Sequence, residues 1–156
     1  MPLDMPCRLG PFVVDDQGGL LPPADRDARF TLRWRGCVVR AAMRPLGGGA
    51  GPGMVELTLQ ASLGRVPSSA EASAGRREEV LAALRGVGEL APPSLRCGLS
   101  ADHRAVLHGR EELALPVTSR ALVTRVACFL LEAAPYLDLV AEAGATPLGS
   151  ANTWPG

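Results

Sequence analysis

The chain has 156 residues, no net charge and 47% apolar residues, which is enough to bury the core of one domain without disulfides or metal ions. All sixteen basic residues are arginines, so reactions that need a lysine, such as Schiff-base formation or a Walker-type phosphate site, are excluded. Five aspartates and two arginines lie in residues 1–28, whereas six arginines and one glutamate lie in residues 29–65. The arginine-rich segment suggests an acidic partner such as nucleic acid.

The N-terminal residues 1–28 contain PFVVDDQGGLLPP and are predicted to form a hairpin or an irregular arm. They lack the basic segment and long apolar run of a signal peptide. The longest apolar stretch, ACFLLEAAPYL, is too short to span a bilayer. We therefore expect a cytoplasmic protein that has no contact with membranes.

Three strands are predicted next. From Phe30, FTLRWRG alternates apolar and polar residues, the period of a half-buried strand. Gly36 allows a tight turn into CVVRAAM, and the glycine-rich loop 45–53 leads to a third strand, Met54 to Leu63. In that third strand, Val55, Leu57, Leu59 and Ala61 share one face.

A corner and a helix follow the third strand. Pro67 disfavours helical geometry at the preceding residue, and Ser68 and Glu71 have the spacing of a capping box. These features predict a helix from near Ser69 to Val87, with Gly88 as its terminator. Its apolar stripe consists of Val80, Leu81, Leu84 and Val87.

Two short strands are predicted near Leu95–Leu99 and Arg104–His108, with a turn at Ala101-Asp102. A separate extended piece, Glu112–Leu115, leads into a long helix.

The closing helix is predicted from its apolar spacing, with Thr118 or Ser119 as its cap. Pro135 lacks a backbone donor, so we expect a kink or a break there. The helix is apolar over more than half of its circumference, which is more than one sheet face needs, so a homodimer is expected. Residues 1–146 are predicted to form one domain, followed by an irregular tail, 147–156.

Sites for catalysis or for metal ions are weakly indicated. The four cysteines, thirty or more residues apart, are interpreted as buried free thiols. A nucleophile would need Cys97 or Cys128 beside His103 or His108. It is unfavoured because Cys128 lies among apolar helix residues, where a thiol stays protonated, and Asp102-His103 has the composition of a turn. Gly64-Arg65 could place an anion at the start of the first helix, but a capped corner is the favoured interpretation. No catalytic residue, cofactor or metal is predicted.

Nucleic-acid binding would have to use the arginines of the first two strands, Arg33, Arg35, Arg40 and Arg44. Trp34, the aromatic residue among them, belongs to the opposite strand face. Binding of unpaired bases normally needs aromatic rings beside the cations. Nucleic acid is therefore an unfavoured partner.

A family resemblance rests on three pieces of sequence. LTLQASLGRVP is similar to a strand ending in a glycine-proline corner, CGLSADHRAVLHGREELALP to a second hairpin, and TSRALVTRVACFLLEAAPYLDLVAEA to a closing helix. In this order they resemble the class I type III secretion chaperones, the Tir-chaperone group. The match covers most of residues 29–143. Members of that group usually begin with an amphipathic helix and are usually acidic, unlike this chain.

The resemblance implies an α+β fold with an antiparallel sheet in the order β-β-β-α-β-β-α and helices packed on the sheet. It implies a homodimeric, non-enzymatic protein that holds an extended segment of a secreted effector. Val80, Leu81 and Leu84 would then lie in the dimer interface, and Val13 and Leu20 are our candidates for exposed partner-binding positions. The alternatives are a YbjN-like interaction domain without a secretion client and a nucleic-acid-binding regulator.

Overall fold

A computed structural model describes residues 7–47, 53–70 and 73–145. These residues form two antiparallel sheets and two helices, so the predicted α+β class is confirmed. The strands are β1 (Cys7–Leu9), β2 (Phe12–Val14), β3 (Leu20–Leu21), β4 (Ala28–Trp34), β5 (Cys37–Leu46), β6 (Met54–Arg65), β7 (Leu95–Leu99) and β8 (Arg104–Ala114). The helices are α1 (Ala74–Leu90), between β6 and β7, and α2 (Ser119–Glu142), after β8.

The small sheet has the order β1-β2-β3, and the main sheet has the order β4-β5-β6-β8-β7. Phe12 links the two sheets, because the centre of its ring lies 5.8 Å from the centre of the Phe30 ring. Leu20 also forms an antiparallel bridge with Val117, just before α2. The described part of the N-terminal segment is therefore packed against the rest of the fold. The predicted tail, 147–156, and most of the glycine-rich loop lie outside the described residues.

The β4-β5 connection is a two-residue hairpin turn. Arg35 and Gly36 both have positive φ, 49° and 76°, the conformation of a turn whose twist matches that of the flanking strands. The predicted turn at Gly36 is confirmed. Further along, the register of β6 against β8 shifts between Ser62 and Gly64. Gly64 has a φ of 142°, which favours glycine at this irregularity.

The prediction for the start and end of the first helix was wrong. Helix α1 begins at Ala74, and its N-cap Ser73 makes no capping bond through its side chain. Ser68 lies outside the helix, in the connection that follows β6, and Glu71 lies outside the described residues. Helix α1 continues past Gly88 to Leu90 because the Ala91 amide still bonds to the Val87 carbonyl. Local capping signals did not decide either boundary.

Helix α2 begins where the sequence predicted. The Thr118 hydroxyl accepts a 3.1 Å hydrogen bond from the Ala121 amide. Of the kink or break predicted at Pro135, the break is wrong, since α2 runs through Pro135 to Glu142. Ala133 and Leu137, on either side, are buried, and this packing offsets the lost backbone bond. The predicted separate piece at Glu112–Leu115 is also wrong, because β8 is continuous to Ala114.

The core lies between the helices and one face of the main sheet. Its fully buried large side chains include Met43, Leu57 and Leu107, one from each of three neighbouring strands. Phe129 of α2 packs directly over Gly109, where an added Cβ would lie 2.7 Å from the ring. Helix α2 thus approaches the sheet closely at the one position of β8 that has no side chain.

Candidate functional site

An open edge of the main sheet is the candidate site. In the part of the chain that the structure describes, β4 pairs with β5 and with no strand on its other side. The hairpin turn makes Trp34 and Cys37 a hydrogen-bonded pair, and such pairs alternate along an antiparallel ladder. The N–H groups of Arg29, Thr31 and Arg33 therefore point away from β5. No other described segment bonds to these amides, so within the described residues they are open to an added strand.

The two sides of β4 have different chemistry. Phe30, Leu32 and Trp34 are half-buried on the side that faces the helices, so apolar surface remains at the edge. Arg29 and Arg33 are exposed on the other side. An extended segment that pairs with β4 would meet apolar side chains with one of its faces and cations with the other.

Arg35 lies on the helix side of the sheet, which corrects its predicted position beside Arg33. Its guanidinium lies 5.5 Å from the centre of the Trp34 ring, within the range of a cation–π contact. Its Nη2 donates a 2.7 Å hydrogen bond to Asp138 Oδ1 of α2. The turn residue thus connects the β4 edge with the C-terminal half of α2.

A cavity of about 170 Å³ lies beside this ion pair. Its lining includes Cys37, Leu63 and Leu137, together with Arg35 and Asp138. Burial raises the pKa of the Cys37 thiol, and the positive charge of Arg35 opposes that rise. The cavity therefore presents mainly apolar surface at the end of the edge strand, next to a protonated thiol.

The second face of the main sheet is not covered by α1 or α2. The register aligns Arg40, Gln60, His108 and Arg96 in one row across four strands. Two rows further along the same face lies Glu56, which is 5% exposed. Its Oε1 accepts a 2.9 Å bond from Arg44 and its Oε2 pairs with Arg110 at 3.1 Å. Two arginines thus compensate the one buried carboxylate of the described residues.

Among the described positions this open face has no Phe, Tyr or Trp, and its one ring is the imidazole of His108. Trp34 and Phe30 both belong to the opposite face. The large aromatic rings on which bases usually stack beside cations are therefore missing from the described part of this face. The arrangement disfavours recognition of unpaired bases but leaves a positively charged sheet face.

The residues considered for catalysis are not brought together. Register pairs Arg96 with His108 and Cys97 with Leu107, so Cys97 and His108 point to opposite faces of the sheet. Burial raises the pKa of the Cys97 thiol, which lowers its nucleophilicity at neutral pH. His103 lies in the turn before β8 with a φ of 59°.

The prediction that all four thiols are buried was wrong. All four cysteines are free thiols, but Cys7 and Cys128 are exposed, and Cys37 and Cys97 are half-buried. Cys128 is exposed because α2 buries only one side of its circumference. Within the described ranges no group of His, Cys, Asp or Glu could hold a metal ion. None of the described helices is long and apolar enough to cross a membrane.

Two residues predicted to contact a partner or a second copy, Leu20 and Val80, are buried. Leu20 is only 3% exposed because it is held between the small sheet and Val117, which corrects its assignment as an exposed partner-binding residue. Val13 is half-buried on β2. Val80 is fully buried inside its own protomer, so it cannot contact a second copy, whereas Leu81 and Leu84 are half-buried.

The sequence reasoning identified the alternation of β4 but missed the importance of the edge. The signal was present in Phe30, Leu32 and Trp34, yet their place in the sheet depends on strand pairings made far along the chain. Comparison with known proteins adds no assignment, since no family model matches this chain and no curated protein is significantly similar to it.

Proposed function

We propose that this protein is a non-enzymatic, homodimeric binding protein that holds an extended segment of another protein along β4. The observation that carries the proposal is the open seven-residue edge, with outward N–H groups and half-buried apolar side chains. Strand addition uses both features, since backbone bonds supply affinity and alternate side chains supply specificity. The resemblance to the class I type III secretion chaperones supports the same kind of client, a segment of a secreted effector.

The bound segment is expected to alternate apolar residues with acidic ones. Its apolar residues would lie beside Phe30, Leu32 and Trp34, and the cavity at the end of the strand could receive one more apolar side chain. Its acidic residues would lie beside Arg29 and Arg33, where charge steers association more than it adds affinity. Binding should therefore depend strongly on apolar contacts and modestly on salt.

A YbjN-like interaction domain is the second candidate, because it would use the same fold without a secretion client. Neighbouring genes discriminate the two. A gene for a secretion apparatus or an effector beside this one favours the chaperone, and a solitary gene favours the YbjN-like function.

The test uses the outward amide of Thr31. Thr31→Pro removes that donor without removing a bond to β5, and proline is tolerated at a strand edge with its missing N–H toward solvent. Thr31→Val is the matched control, since it keeps the amide. Proteins that bind the wild type are first captured from the native host and identified. Proteolysis of the complex then maps the client segment that the protein protects. A synthetic peptide of that segment is titrated against each variant by calorimetry.

We expect the peptide to bind wild type and Thr31→Val alike, and Thr31→Pro at least about tenfold more weakly, in line with the loss of a backbone bond and poorer strand fit. Circular dichroism must show that both variants are folded. If both variants bind the peptide equally well, the client does not bind along β4. A turnover of a small molecule that is lost on replacing Cys97 or His108 would contradict the non-enzymatic function.

A further inference from the structure

We propose that two copies of this chain pair through the outward side of α2, antiparallel, about a twofold axis at Leu131. The proposal rests on the homodimer of the proposed function and moves its contact surface from α1 to α2. It does not depend on β4, so failure of client binding and failure of this contact are separate results.

A line of exposed residues follows the side of α2 opposite its buried residues, and one of them, Asp138, also bonds to Arg35 of the β4-β5 turn. Successive members are three or four residues apart, the spacing that keeps side chains on one side of a helix. We name this line the α2 seam: Arg120, Thr124, Ala127, Leu131, Pro135, Asp138 and Glu142, all of them exposed.

The centre of the α2 seam is apolar. Leu131 is 71% exposed, and Val123 and Leu139 beside the seam are 66% and 38% exposed. Ala127 and Pro135 are small or compact, so a second helix can approach closely on both sides of Leu131. Covering this surface removes apolar area from water, which favours association.

The charges of the seam are self-complementary. Arg120 lies eleven residues before Leu131 and Glu142 eleven residues after it, so an antiparallel twofold pairing sets each Arg120 opposite Glu142 of the second copy. The same symmetry sets Ala127 opposite Pro135 and Thr124 opposite Asp138. A parallel pairing would instead set Arg120 against Arg120 and Glu142 against Glu142.

The ends of α2 carry charges that disfavour the isolated helix. Its first turn holds Arg120 and no acid, and its last turn holds Glu142 and no base. Each charge faces the helix-dipole end of its own sign, which is unfavourable. An antiparallel neighbour reverses the effect, because it brings an acid to each N-terminus and a base to each C-terminus.

Helix α1 offers less surface for this purpose. Its residues Val80 and Val87 are buried in the protomer's core, and its most exposed large apolar residue, Leu90, lies at its last position, 72% exposed. Leu90 is therefore a matched control for Leu131, with the same side chain, the same exposure and a place off the seam.

The first experiment is sedimentation velocity at micromolar concentration. Wild type and Leu90→Arg should sediment as dimers, and Leu131→Arg should sediment with the mass of one chain, 16.3 kDa. Folding of each variant is checked by its thermal transition. Monomeric wild type, or a Leu131→Arg variant that remains dimeric, would overturn the proposal, even if the β4 edge binds its peptide.

The second experiment tests the orientation. Arg120→Glu and Glu142→Arg should each weaken dimerisation by about tenfold, the size of two exposed charge pairs with added like-charge repulsion. The double variant should restore the affinity, because the pairs are re-formed with the signs exchanged. Single variants without effect would contradict the antiparallel contact, and so would a double variant that dimerises more weakly than both single variants. A disulfide formed on oxidation between Cys128 of one wild-type copy and Cys128 of the other would also contradict it.

Discussion

The two faces of the main sheet are built from alternate residues of the same strands, yet they have opposite roles. On the helix-covered face, Leu57, Leu107 and Met43 are fully buried and have no room to change. On the open face, Gln60 is half-buried and His108 is exposed, and each pairs in register with an arginine. The difference shows that the apolar core is built on one face, whereas the other face carries the charged side chains.

The largest expected effect is the loss of a side chain from the covered face. Leu57→Ala should lower the free energy of unfolding by about 2–5 kcal/mol, since it removes buried apolar area and leaves a cavity. Gln60→Ala, on the same strand but on the open face, should change it by less than about 0.5 kcal/mol. Urea unfolding followed by circular dichroism measures both, and equal losses would remove the distinction between the faces.

An added methyl group tests how closely α2 packs on the covered face. In Gly109→Ala the new Cβ would lie 2.7 Å from Phe129 Cδ2 and 2.9 Å from Cε2, so the buried ring must move. We expect a loss of about 1–3 kcal/mol, as for other overpacked cores. Gly98→Ala on β7, where a Cβ would meet nothing within 4 Å, is the control and should cost much less in the same urea titration.

Glu56 is buried although it belongs to the open face, so its replacement should lower the stability as a core substitution does. Glu56→Ala leaves Arg44 and Arg110 without their shared partner and should cost about 1–3 kcal/mol, the range for hydrogen bonds to charged groups. Glu112→Ala, its exposed neighbour on β8, should change stability by less than about 0.5 kcal/mol. If the two substitutions cost the same in thermal unfolding, Glu56 has no special structural role.

The smallest effect concerns thiol reactivity rather than stability. Burial raises the pKa of Cys37 and Cys97 on the covered face, so both react more slowly with a maleimide at pH 7 than they would in the unfolded chain. Their reaction should accelerate as the pH rises, because the thiolate fraction increases. Cys128 should react faster than either in the monomeric Leu131→Arg variant. Peptide mapping by mass spectrometry measures each rate, and reaction of Cys97 before Cys128 would contradict the assigned faces.

Local patterns were sufficient for several elements of the fold, although not for the bounds of α1 and β8. The period-two alternation in β4 and β6, the turn at Gly36 and the Thr118 cap could each be inferred from neighbouring residues, because each depends on interactions within a few positions of the chain. The excess apolar circumference of α2 was equally visible in the sequence. Residues that depend on more than one element were predicted poorly.

Leu20 and Val80 show the limit of such patterns, since an apolar residue is exposed or buried according to which distant segment packs on it. Pro135 is accommodated because Ala133 and Leu137 hold α2 on the sheet, a contact that no local rule contains. The pairing of β6 with β8 leaves β4 as an open edge and sets Cys97 and His108 on opposite faces. The sequence alone therefore determined the type and order of most elements and their apolar sides. Only the tertiary structure decided where α1 and β8 begin and end and which apolar sides and backbone groups remain exposed, because these depend on contacts between residues far apart in the chain.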